Sequence, residues 1–137
     1  MSWNKELDLN CLEVFGGVFE SEEALKEYMK SDDGTPKRIM EDLYLEGDFI
    51  GAVEYRFLPG KTNEAEKALA GMPYSDKIVE VLRAKFADKF KKKVNTIIVL
   101  YDFHLGNHFS RHNLKDMKER KTDNYCIFNI ENVYPYK

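Results

Sequence analysis

Cysteine is scarce in these 137 residues: Cys11 and Cys126 are the only two, 115 positions apart and each inside an apolar stretch. Neither has a companion at metal-ligand spacing, so no zinc knuckle is expected, and single thiols in such settings are usually buried and unpaired. Long apolar runs are missing as well. The longest, Ile97-Ile98-Val99-Leu100-Tyr101, falls far short of the ~18 residues a membrane helix needs. The first six residues carry an acid and no apolar core, so no secretory signal is read there and a cytoplasmic protein is expected. Prolines number four, and there is no repeat, linker or low-complexity tract, which predicts one domain over residues 1–137. No G-x-S-x-G, Walker, G-x-G-x-x-G, H-E-x-x-H or paired-cysteine pattern occurs.

What is present is apolar material for one packed core, at 43% of residues, together with 33% charged residues. The net charge of −3 conceals an asymmetry. Residues 1–66 hold 7 Lys and Arg against 16 Asp and Glu, whereas residues 67–137 hold 14 against 8. An acidic face for a basic partner is the hypothesis this suggests.

Periodicity orders the elements. A first strand is expected over 10–15, stopped at Gly16-Gly17 by glycine's freedom to take positive φ. Ser21 is placed to cap a helix at 22–30, with Glu22 and Glu23 in its first turn and Leu25, Tyr28 and Met29 as its apolar stripe. A loop over 31–36 leads to a short helix, with Thr35 as cap and Ile39, Met40 and Leu43 facing inward. Alternation from Leu43 to Leu58 predicts a hairpin or bulged strand pair with one wet face, closed by Pro59-Gly60. Two helices follow, at 63–70 and from Ser75 to about Phe90, the latter with Ile78, Leu82, Phe86 and Phe90 on one face. Val94 to Phe103 reads as a strand covered on both faces, 104–124 as an excursion with a short helix at 113–120, and 125–134 as a last strand. This order predicts an α+β sandwich: one mixed or antiparallel sheet of four to five strands with helices mainly on one face.

Candidate chemistry is sparse. His104, His108 and His112 are spaced by four, which suits imidazoles on one helix face around a metal, but Gly106-Asn107 breaks such a helix and no carboxylate sits at a matching offset. They read better as loop histidines, and no cofactor is expected. Asp102 with His104 is a general acid/base pair by spacing only. The serines look terminal, capping or loop-borne, leaving nucleophilic catalysis without a carrier, so an enzyme is not expected. Lys91-Lys92-Lys93 reads as a solvated helix end rather than a nucleic-acid contact, since exposed aromatics are not interleaved with it. There remain Asp32, Asp33, Glu41, Asp42, Glu46, Asp48 and Glu54, crowded into loops and the hairpin face. A cationic protein partner would explain them, as would solubility.

Three blocks then suggest a family. Val14-Phe15-Gly16-Gly17 followed by Phe19-Glu20-Ser21-Glu22-Glu23-Ala24-Leu25 and Glu27-Tyr28, then Pro73-Tyr74-Ser75-Asp76-Lys77-Ile78, then Ile98-Val99-Leu100-Tyr101-Asp102-Phe103, resemble in order the immunity protein 22 family of bacterial polymorphic toxin systems. The resemblance covers most of residues 12–103. It implies a small cytoplasmic α+β protein that binds a cognate toxin domain and blocks it without chemistry of its own. Against a nuclease toxin, whose cleft would be basic, the seven acidic residues above become the expected toxin-binding set. Ser21, Tyr74, Ser75, Tyr101 and Phe103 read as caps and core rather than contacts. The alternatives are a non-enzymatic adaptor or regulatory module and a small metal enzyme built on the three histidines.

Overall fold

The computed structural model describes residues 4–87, 89–110 and 116–137. The β-branched run that dominates the middle of the chain forms β3 (Lys89–Tyr101), whose residues Ile97, Ile98, Val99 and Leu100 are all fully buried. One neighbour is β2 (Ala52–Glu64) and the other is β1 (Leu12–Phe19). Beyond β1 lie β5 (Tyr125–Val133) and the short edge strand β4 (Glu119–Lys121). The sheet order is β2-β3-β1-β5-β4, and every pairing is antiparallel. A single antiparallel sheet of five strands in one α+β domain is the class the alternating patterns predicted.

Helices cover both faces of this sheet rather than mainly one. On the first face Phe15, Phe19, Ile98, Leu100 and Ile127 pack under α2 (Glu22–Met29) and α3 (Lys37–Asp42). On the opposite face Leu12, Val14, Ile97, Val99 and Tyr101 pack under α4 (Ala65–Leu69) and α5 (Ser75–Phe86). The reason lies in the two apolar sides of β3: adjacent residues point to opposite faces, and both sets require cover. Ser21 caps α2 as expected, accepting a hydrogen bond from the Ala24 amide at 3.1 Å. Among the described residues no helix is long and apolar enough to cross a membrane.

Several local expectations give way to tertiary structure. The segment 43–51 is not half of a hairpin: it holds turns and a single bridge from Leu45 to Phe109, while β2 begins at Ala52 and pairs with β3. A further helix precedes the first strand, α1 (Lys5–Asn10), capped by Asn4 through the Glu6 and Leu7 amides. Helix α5 stops at Phe86 because the chain reverses through Ala87 in the left-handed region, so Lys91, Lys92 and Lys93 belong to β3 rather than to a helix end. Ser75 is the first helical residue, and the cap position falls on Tyr74, which is half exposed rather than core. Of the helix expected at 113–120, residues 113–115 lie outside the described residues, and 119–121 form β4.

Gly16 and Gly17 do not end their strand. They lie inside β1 and serve close approach: a Cβ on Gly17 would stand 2.5 Å from the Cys126 carbonyl oxygen and 3.3 Å from Ile127 Cγ2. Gly17→Ala is therefore expected to push β5 off β1 and lower the stability by about 1–3 kcal/mol, read as a reduced urea midpoint. An unchanged midpoint would show that the strand pair relaxes freely.

Candidate functional site

The end of the sheet where β1 begins and β3 finishes gathers buried polar groups from distant parts of the chain. Asp8 on α1 and Glu13 on β1 are 0% and 2% exposed, and both carboxylates face the turn that follows β3. Asp8 Oδ1 accepts from the His104 amide at 2.8 Å and from Asn107 Nδ2 at 3.1 Å. Glu13 Oε2 accepts from the Leu105 amide and from Asn132 Nδ2, each at 2.8 Å, while Oε1 accepts from Asn129 Nδ2 at 3.2 Å. The 3-10 turn Leu105–Asn107 thus has its leading amides satisfied by two buried acids, where solvent would ordinarily serve.

His108 completes the cluster. Its ring is 1% exposed and lies stacked on Phe103, with centroids 4.2 Å apart. Nε2 is 3.1 Å from Asp8 Oδ2, and Nδ1 is 2.7 Å from the Glu46 carbonyl oxygen. Both ring nitrogens therefore lie within hydrogen-bond distance of an oxygen, one of the buried Asp8 carboxyl and one of the Glu46 backbone carbonyl. The loop after α3 is tied to the same residue, because the Glu46 amide donates to the His108 carbonyl at 2.7 Å. One histidine therefore holds α1, the 3-10 turn and the 43–51 loop together.

The metal and acid/base expectations take a different form here. His112 lies outside the described residues. His108 spends both ring nitrogens on Asp8 and Glu46, and among the described residues no group of three or more His, Cys, Asp or Glu is arranged to hold a metal ion. Asp102 is not the partner of His104: its carboxylate accepts from the Tyr136 hydroxyl at 2.5 Å and pairs with Lys137 at 3.0 Å. The acid that meets a histidine is Asp8, 100 positions from His108. Both cysteines are free, and burial pushes the Cys11 thiol up to about 11, away from nucleophilic chemistry.

The seven acidic candidates separate into three roles. Asp32, Asp33, Glu41, Glu46 and Asp48 are exposed on the α2–α3 loop, on α3 and on the loop that follows it, all above the first sheet face. Asp42 is turned inward, its Oδ2 accepting from the Tyr28 hydroxyl at 2.8 Å and the Tyr125 hydroxyl at 2.6 Å, so it braces α3 against α2 and β5. Glu54 projects from the other face, in step along β2 with Arg56, whose guanidinium reaches the Ala68 carbonyl of α4. The sequence missed the buried network entirely. Its one local signal is Glu13, an acid between apolar residues in a strand buried on both faces.

Compared with protein-family models, with curated proteins and with solved structures, the chain has no match in any of the three.

Two predictions follow from the network. Desolvation raises Glu13 to about 7 from an ordinary value of 4.5, opposed by its Leu105, Asn132 and Asn129 donors. Between those two pH values the folded chain keeps a proton that the unfolded chain has released, so this group's contribution to stability declines as pH rises through the window. Glu13→Gln removes the titration. Its stability relative to the parent should climb across the window by on the order of 3 kcal/mol, and a pH-independent difference would refute the assignment. His108→Ala leaves the buried Asp8 carboxyl without its ring partner and should cost about 3 kcal/mol or more in urea unfolding, against a near-neutral result if the pair contributes nothing.

Proposed function

We propose that this chain is an immunity protein: it binds a cognate toxin domain in the cytoplasm and blocks it by occlusion, with no reaction of its own. The resemblance of its three sequence blocks to the immunity protein 22 family suggested this reading. One structural observation supports it above the rest. Five acidic side chains, Asp32, Asp33, Glu41, Glu46 and Asp48, stand exposed above one sheet face, and the backbone of Glu46 is pinned from beneath at both its amide and its carbonyl by the buried His108. Solubility needs charge but does not need it held still. A charged loop that is already ordered loses less entropy on binding and presents a fixed field to a basic partner.

The partner this surface fits is a basic domain, such as a nuclease whose cleft is built to receive phosphates. Contact through acidic groups steers association and is screened by salt. The binding set is the exposed five. Asp42 belongs to the internal brace of α2, α3 and β5, and Glu54 lies on the opposite face.

The decisive experiment captures partners with the tagged protein from its native cells at low and high salt and identifies them by mass spectrometry. A toxin C-terminal domain that is lost as salt rises is the expected result. Capture of unrelated regulatory proteins would replace the immunity reading with an adaptor. With the toxin in hand, reversing the five exposed acids together should slow association by at least about tenfold at low salt, and much less at high salt. Asp42→Asn should lower stability without changing the salt dependence of binding. Equal association rates for the parent and the five-site variant would move the interface elsewhere.

A further inference from the structure

The pairing of α4 and α5 with one sheet face is incomplete. α4 packs on β2 and β3, and α5, which touches β3 and β5, ends at Phe86, so among the described residues no helix is centred over the β5–β4 end of that face. A cavity of about 370 Å³ opens there, between the last turn of α5, the start of β3 and the β4–β5 pair. Its walls are apolar: Phe86, Phe90, Phe128 and Ile130. Gly16 in β1 contributes to its depth. A Cβ at that position would come within 2.8 Å of Ile130 Cδ1 and 3.3 Å of the Phe128 ring, so its absence lets both side chains settle towards the sheet.

The mouth of the cavity is basic. Lys91, Lys92 and Lys118 surround it, with Glu119 the single acid among the described residues that line it, in a chain whose net charge is −3. Lys92 is spoken for, lying 5.3 Å from the Phe128 ring centroid and 3.8 Å from Glu119 Oε1. Lys91 and Lys118 are exposed and have no carboxylate partner among the described residues. Apolar walls below two uncommitted ammonium groups define what fits: an apolar body whose desolvation is favourable, ending in one anionic head that stays at the rim.

We propose that this cavity binds a small amphipathic anion, a monocarboxylate with a medium-length acyl or aryl body. The volume suits a small molecule, and the sign of the rim selects against amphipathic cations. The site lies on the α5 side of the sheet, away from the exposed acidic loops over the α2–α3 side, and it does not rest on the immunity reading. The lysine run 91–93, which sequence alone reads as a solvated helix end, acquires a role here through Lys91.

Calorimetric titration of the full chain with decanoate, and with decylamine as the cationic counterpart, tests the proposal. Decanoate should bind saturably at one per chain, below its micellar range, while decylamine should not. Lys91→Glu with Lys118→Glu should weaken decanoate by at least about tenfold, the scale of two partly exposed charge pairs, with the far-ultraviolet circular dichroism of the parent retained. Amide resonances of Phe128, Asn129 and Ile130 should shift on titration in the parent and stay in place in the double variant. Failure of decanoate to saturate, equal binding of decylamine, or decanoate binding that ignores the double charge reversal would each overturn the proposal.

Discussion

A carboxylate taken out of water must be met by donors, and the carboxylate of Asp8 finds them 96 to 100 residues further along the chain. That requirement organises one end of the molecule. Helix α1 is six residues long, too short to persist by itself, and it is held because its buried acid is bonded to the His104 amide, Asn107 and the His108 ring. Glu13 repeats the device one element later, linking β1 to the Leu105 amide and to two asparagines of β5. With both acids in place, the 3-10 turn Leu105–Asn107 is held against the sheet end.

The same cluster connects architecture with the proposed activity. His108 reaches past Asp8 to the Glu46 carbonyl, so the loop carrying Glu46 and Asp48 is positioned from within while its charges remain in solvent. Asp42 does comparable work from the other end of the loop through Tyr28 and Tyr125, whose rings lie 5.0 Å apart and each 5.1 Å from the Phe19 ring, centroid to centroid. An acidic surface on such a base can meet a basic partner without first ordering itself. The opposite sheet face is finished differently: α5 ends at Phe86, and the strand end beyond it forms a wall of a lysine-rimmed apolar cavity.

Much of the fold was legible in local pattern. The α2 helix with its Ser21 cap, the doubly buried β3, the last strand and the α+β class all follow from short-range periodicity and capping chemistry, which act over a few residues. Legibility failed where a long-range contact outweighed propensity. Leu43 to Phe49 alternate like a strand, yet the segment is consumed by the bridge from Leu45 to Phe109 and by the two bonds between Glu46 and His108. Phe90 keeps the spacing of the α5 stripe and is buried in the same core, but it arrives there on β3, after the reversal at Ala87.

The sequence by itself determined which residues must be covered, where α2 begins and that the first half of the chain carries the acidic excess, because composition, capping and apolar period are local properties. Tertiary structure alone decided which acids are surface and which are structure. Asp42, Asp48 and Glu54 are alike as letters in an acidic stretch, yet one braces two tyrosines, one stands in solvent and one lies on the other side of the sheet. The pairing of Asp8 with His108 was likewise invisible along the chain, since the cost of burying a charge is settled by partners that only folding brings within hydrogen-bond distance.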